Sequence, residues 1–87
     1  MVINKPARAG TLESSDIYIT VQPNQGQGIE IQLDSIVLKQ FGQQIENVMR
    51  QTLNDFQIRD IKIIANDRGA LDYTIRARLE TAIKRAI

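Results

Sequence analysis

Asp16-Ile17-Tyr18-Ile19-Thr20-Val21-Gln22-Pro23-Asn24-Gln25-Gly26-Gln27-Gly28-Ile29-Glu30-Ile31-Gln32-Leu33 is the stretch that decides the fold. Ile17, Ile19 and Val21 alternate with Tyr18 and Thr20, and Ile29, Ile31 and Leu33 alternate with Glu30 and Gln32. A period of two sends successive side chains to opposite faces, so each run reads as a strand with one buried face. Between them Pro23, Gly26 and Gly28 supply turn chemistry. Two strands joined by a Gly-rich loop most simply form an antiparallel hairpin.

Downstream, Asp34-Ser35 offers side-chain oxygens suited to a helix N-cap. Leu38, Phe41, Ile45, Val48, Met49, Leu53 and Phe56 then recur at three- and four-residue steps, an apolar stripe on a helix of about five to six turns. Gly42 within it costs about 1 kcal/mol relative to Ala and is expected to admit another backbone. Ile61-Lys62-Ile63-Ile64-Ala65 reads as a third strand, ended by the turn Asn66-Asp67-Arg68-Gly69. A second helix begins near Ala70 or Leu71. Its buried stripe is Leu71, Ile75, Leu79, Ala82, Ile83 and Ala86, with Arg76, Arg78, Glu80, Lys84 and Arg85 on the exposed side. Upstream, residues 1–15 lack a useful period, and Pro6 and Gly10 break them. The expected architecture is α+β: a small three-stranded antiparallel or mixed sheet covered on one face by two helices, order β-β-α-β-α, behind an irregular N-terminal arm.

Composition narrows the function. Eighty-seven residues make one domain. Eleven basic and ten acidic side chains leave +1, too weak a field to recruit nucleic acid or an anionic membrane. Ile, Leu and Val account for 24 of 87 residues, enough for a small core. Cys and His are absent, which excludes disulfides, thiolate nucleophiles, imidazole bases and the common zinc sites. No apolar run reaches the roughly 18 residues of a membrane span. Met1-Val2-Ile3-Asn4-Lys5 lacks a signal-peptide pattern, so a cytoplasmic location is expected.

Catalysis would have to come from Ser, Thr, Tyr, Lys or carboxylates. Glu13 and Asp16 bracket Ser14-Ser15, and Asp67 and Asp72 bracket Gly69, yet carboxylates so close in sequence are usually solvated turn or cap residues. The arm is the unusual part. Ala9-Gly10-Thr11-Leu12-Glu13-Ser14-Ser15-Asp16 reads either as a bend with a polar lead-in to the first strand or as an exposed Ser suited to covalent modification.

Three blocks resemble one family. Asn4, Pro6 and Ala9-Gly10-Thr11-Leu12-Glu13-Ser14-Ser15-Asp16, then Lys39-Gln40-Phe41-Gly42, then Asp67-Arg68-Gly69-Ala70-Leu71-Asp72 with Arg76-Ala77-Arg78-Leu79-Glu80, resemble the acyl carrier protein, or gamma subunit, of citrate lyase. The resemblance covers essentially the whole chain. It implies a non-catalytic carrier of one domain, 1–87, with residues 1–15 a flexible arm bearing the attachment Ser and 16–87 a folded core. Ser14 is implied to carry a phosphoribosyl-dephospho-coenzyme A group through a phosphodiester, with Ser15 a neighbouring hydroxyl where some relatives have Gly. The implied partners are an alpha acyl-transferase subunit, a beta citryl-lyase subunit and the holo-carrier synthase that attaches the group. The thiol of that group would hold the acetyl or citryl thioester while citrate is cleaved to oxaloacetate and acetate. No metal, nucleic acid or membrane is implied.

Secondary signals remain open. Asp34-Ser35 resembles the Asp-Ser of fatty-acid carriers, but those are acidic helical bundles, and capping explains the residue types. Gly69, Arg76 and Arg78 are candidate contacts for the group's phosphates or for partner subunits, since helix N-termini and Arg side chains both bind anions. Each has a plainer reading as turn or solvated helix. Tyr73 is expected to cover the hairpin or pack under the arm. Two other functions compete: the acyl carrier subunit of malonate decarboxylase, with the same type of prosthetic group, and a small RNA-binding module. The latter calls for sheet-face aromatics and a basic stripe that two Tyr, two Phe and a +1 charge hardly supply.

Overall fold

The computed structural model describes all 87 residues. The elements are β1 (Ala7–Gly10), β2 (Ile17–Gln22), β3 (Ile29–Ser35), α1 (Leu38–Asp55), β4 (Ile61–Asp67) and α2 (Asp72–Ala86). The sheet has four strands in the order β1-β2-β4-β3. The α+β class stands with one strand more than expected, because the segment read as an irregular arm contributes β1, antiparallel to β2 from Ala7↔Val21 to Gly10↔Tyr18. Ala9 faces the core, and Ile3 is buried as well. The amides of Asn4 and Lys5 donate to the Ala86 carbonyl at the end of α2.

The hairpin does not form. β4 lies between β2 and β3, antiparallel to β2 and parallel to β3. The six residues 23–28 are long enough to cross two strand spacings, about 10 Å, so nothing forces β2 and β3 to pair. β4 presents Ile61, Ile63 and Ala65 to the core, and a strand so rich in apolar inward positions gains most at the centre. The loop is fastened to the start of that strand: Gly28 N–H donates to Asp60 Oδ1 at 3.0 Å and Ile61 N–H to the Gly28 carbonyl at 3.0 Å.

Both helices cover one face. α2 packs on β1 and β2, and α1 packs on β3 and beside α2. Ile17, Ile19, Val21, Ile61, Ile63, Ile75, Leu79 and Ile83 are fully enclosed between sheet and helices. Each such side chain is worth about 1.5–3 kcal/mol of burial. The other sheet face is open and mixed, carrying Arg8, Thr20, Lys62 and Ile64 among others; Tyr18 is its one aromatic.

Helix α1 keeps its expected length but buries less of its stripe. Ile45, Met49 and Leu53 are enclosed, with Thr52 beside them, whereas Leu38 and Phe41 stay exposed because α1 begins beyond the cover of α2. Ser35 is the last residue of β3 rather than a helix cap; Val37 precedes α1 and provides no side-chain cap. Gly42 admits no foreign backbone. A Cβ there would sit 3.0 Å from Leu38 Cδ1 of the same helix. α1 ends on Gln57 at φ 54°, with Gln57 N–H on the Asn54 carbonyl and Ile58 N–H on the Leu53 carbonyl. This left-handed stop turns the chain and buries Ile58.

Gly10 has φ +91°, and a Cβ there would collide with the Ile17 carbonyl. Gly10→Ala is therefore expected to destabilise the fold by about 2 kcal/mol or more, combining backbone strain with displacement of β1. Urea denaturation of the two proteins measures the difference.

Candidate functional site

The chain between β1 and β2 is short, and its geometry follows from one buried carboxylate. Asp16 is 8% exposed. Its Oδ2 accepts from Thr11 Oγ1 at 2.7 Å and from an Arg78 Nη2 at 3.1 Å, and its Oδ1 accepts from the Ile17 amide at 2.8 Å and Arg78 Nε at 3.0 Å. Burial by itself would raise this carboxyl, but the Arg78 and Thr11 hydrogen bonds, the Ile17 amide and the Arg78 charge outweigh it and lower the pKa to about 2. Thr11 Oγ1 also accepts from the Glu13 amide, and the Asp16 amide donates to the Glu13 carbonyl. Two further bonds tie the turn to the end of β4: Ser15 N–H to the Arg68 carbonyl and Arg68 N–H to the Asp16 carbonyl, both 2.8 Å.

Ser14 stands exposed at the tip of this turn, and none of these bonds uses its hydroxyl. Ser15, also exposed, takes φ 65°, a left-handed conformation that a Cβ disfavours. Ser35 contrasts with both. Its Oγ donates to Asp67 Oδ2 at 2.7 Å and accepts from the Val37 amide at 3.1 Å, so the hydroxyl is used twice.

Asp67 is 0% exposed and anchors the two neighbouring turns. Besides Ser35, its carboxylate accepts from the Gly69 amide at 3.1 Å and the Ala70 amide at 3.0 Å, while its carbonyl accepts from the Ile36 amide. The sheet register sets Ile17 opposite Asp67 and Asp67 opposite Ser35, so the three turns after β1, β3 and β4 share one end of the sheet.

The sequence candidates therefore occupy distinct surroundings. Gly69 lies in the turn before α2 with its amide already given to Asp67. Arg78 is committed to Asp16, and this link between the turn and α2 had no local sequence signal. Arg76 bridges Asp55 and Glu80 at 2.8 Å each. Asp55 is held below its usual range by hydrogen bonds from Arg76 and Gln51, and Arg76 above its own by Asp55 and Glu80. Arg68, exposed beside the Ser14 turn, makes no ion pair. Asp16 and Asp67 are buried rather than solvated, and Asp67 does cap the approach to α2. Tyr73 covers neither the sheet nor the arm. It projects beside a cleft of about 500 Å3 between the start of α1 and the turn before α2, walled by Val37, Phe41, Ile45, Gly69 and Leu71. A hollow of about 580 Å3 among Ile3, Asn24, Gln57 and Asp60 belongs to the end of the fold remote from Ser14. No helix is long and apolar enough to cross a membrane.

The family model described as malonate decarboxylase delta subunit matches residues 4–86. The citrate lyase acyl carrier protein of Halothermothrix orenii is 50% identical over 86 residues, covering 99% of this chain and 90% of its own. Those of Streptococcus mutans and Lacticaseibacillus casei are 52% and 54% identical, each covering 99% of this chain and 84% of their own. In three dimensions a chain of a Pseudomonas malonate decarboxylase hetero-tetramer, solved with malonate, aligns with TM-score 0.78 over 100% of this chain and 93% of its own; at 24% identity the likeness is one of fold.

Because Asp16 has a lower pKa folded than the ordinary carboxyl value of 3.8, its contribution is complete above about pH 4 and is lost as pH falls toward 2. The stability gap between the wild type and Asp16→Asn is expected to close by about 1–2 kcal/mol between pH 5 and pH 2, allowing for the partly exposed Arg78. Denaturant titrations of both proteins across that range check it. At Ser15 the left-handed backbone makes glycine the easier residue, so Ser15→Gly should stabilise the fold by about 0.5–1 kcal/mol in the same assay.

Proposed function

Because the chain belongs to the family of citrate lyase acyl carrier proteins, we propose that it is the covalent acyl carrier subunit of a citrate lyase complex, with phosphoribosyl-dephospho-coenzyme A joined to Ser14 through a phosphodiester. The observation that carries the reading is an exposed hydroxyl, free of internal partners, on a turn whose backbone is held by Thr11, Asp16 and Arg68. An attaching enzyme must bring phosphorus within bonding distance of Oγ, and a hydroxyl free of internal partners gives nothing up when it reacts. Ser35 fails on this count, since reaction there would break its bonds to Asp67 and Val37 and open the turns they hold. Ser15 is equally exposed and its hydroxyl equally free, though its backbone is left-handed and its amide is bound to the Arg68 carbonyl, and the family resemblance decides for Ser14.

In the attachment step the Ser14 Oγ–P bond forms as a P–O bond of an activated donor breaks. The hydroxyl proton passes to a base of the holo-carrier synthase. This chain has no His, and its nearest buried carboxylate, Asp16, is already saturated. When bound, the group supplies the thiol that the polypeptide lacks and so holds the acyl thioester. The chain itself is non-catalytic. Its residues hold the attachment point steady while the alpha acyl-transferase and beta citryl-lyase subunits act in turn, and tethering gives each of them a high local concentration of the same thioester. The setting is cytoplasmic.

A carrier for malonate decarboxylase is the second reading, favoured by the family model's description and by the likeness of fold. The relatives at 50–54% identity across 99% of the chain weigh toward citrate. Partner subunits choose the substrate. RNA binding has little support, since three of the four aromatic residues, Phe41, Phe56 and Tyr73, lie on or beside helices rather than on the open sheet face.

Intact-mass analysis of protein produced together with the maturation enzymes should show one prosthetic-group adduct. It is expected to vanish in Ser14→Ala and persist in Ser15→Ala and Ser35→Ala. An adduct retained in Ser14→Ala contradicts the assignment.

A further inference from the structure

The cleft between α1 and the approach to α2 plays no part in holding Ser14, yet it is the apolar opening beside it. Leu71 is 59% exposed and Tyr73 73% exposed, and Phe41, on the opposite wall, is also exposed. Such side chains are costly to leave open to water unless something covers them. Polar groups stand at the rim, where Gln44 Nε2 donates to both carboxylate oxygens of Asp72 at 3.0 and 3.1 Å. The cleft is also close to the attachment turn. Ser15 N–H meets the Arg68 carbonyl at 2.8 Å, and Gly69, the next residue, is already cleft wall. At no more than about 3.6 Å per residue, the wall begins within about 10 Å of Ser15.

We propose that this cleft receives the purine ring of the nucleotide joined to Ser14, an inference that rests on the reading of Ser14 as the attachment residue. A phosphoribosyl unit lies between Oγ and the adenosine, and the cleft wall begins within about 10 Å of the neighbouring Ser15. The chemistry changes in the same order along the group and along the surface. Arg68, a cation without an ion pair, stands beside the turn where the phosphodiester charge would be. Beyond it come the flat rings of Phe41 and Tyr73, which suit a purine face, with Val37 and Leu71 to cover its edges. The Gln44 carboxamide oxygen, which the Asp72 contact leaves unused, can accept from the adenine amino group. A cleft of about 500 Å3 is ample for one ring system. With the ring seated, only the pantetheine arm beyond it swings. The carrier then loses reach and gains local concentration of the thiol near this end of the fold.

The chain has no Trp and two Tyr, so Tyr18→Phe leaves Tyr73 as the reporting fluorophore. In that background, loading confirmed by mass is expected to lower Tyr73 emission by about half or more, because stacking of the strength seen between bases and aromatic side chains leaves the stacked form the majority. Nuclear Overhauser contacts should run from the purine H2 and H8 protons to Phe41 and Leu71. Phe41→Ala or Leu71→Ser should restore emission with the adduct mass unchanged. Free dephospho-coenzyme A, added to unloaded protein at equimolar micromolar concentration, should leave emission unaltered. The proposal is overturned if the loaded and unloaded proteins emit alike while the adduct is present, since the Ser14 reading then survives alone. It is equally overturned if free nucleotide quenches as well as the tethered one, or if quenching appears only on adding the transferase or lyase subunit, which would make the cleft a partner surface. Absence of any adduct on Ser14 removes both the inference and its premise.

Discussion

The carboxylate of Asp16 is the constraint on which the end of the fold around Ser14 depends. A carboxylate taken from water is stable only when its oxygens are fully engaged, and here Thr11, the Ile17 amide and two nitrogens of Arg78 engage them. The guanidinium comes from α2, 62 residues away in the chain, so the carboxylate's bonds are complete only with the helix docked on β1 and β2. Presentation of Ser14 is thus a tertiary property, coupled to completion of the core.

A second buried carboxylate divides the work. Asp67 holds the turns into α1 and α2, while Asp16 holds the turn that carries Ser14. The two meet through Arg68, whose amide and carbonyl bond to the Asp16 carbonyl and the Ser15 amide. Beneath them the core is almost wholly aliphatic, with nine of the 14 Ile residues enclosed. This arrangement separates two mechanical demands on a carrier. The attaching enzyme needs a hydroxyl in one place, and the catalytic subunits need a thiol that travels. Under the proposed attachment at Ser14, the pinned turn would meet the first and the appended group the second.

Much of this was legible in the residues. Alternation over Ile17–Val21 and Ile29–Leu33 located β2 and β3, and the Ile45-Met49-Leu53 and Ile75-Leu79-Ile83 stripes located the buried faces of both helices. Strand pairing was not legible, because a six-residue loop permits either a hairpin or an inserted strand, and only the competition for the sheet centre decides it. β1 is not legible in the sequence because four residues, Ala-Arg-Ala-Gly, bury one small side chain and carry almost no periodic signal. The Asp16–Arg78 pair was hidden by sequence distance, and the plain view of Asp16 as a solvated turn residue was its local reading. Ser14 was singled out by family resemblance, whereas residue physics left it level with Ser15. The double use of the Ser35 hydroxyl sets that residue apart, while Ser14 and Ser15 both keep free, exposed hydroxyls and differ in the left-handed backbone at Ser15.

Backbone 15N relaxation on the unloaded protein tests the central claim most directly, namely that a folded turn rather than a loose arm presents the Ser14 hydroxyl. Order parameters for residues 11–16 are predicted to match those of β2, near about 0.85. Values below about 0.6 across the same residues, with β2 still rigid, would contradict it.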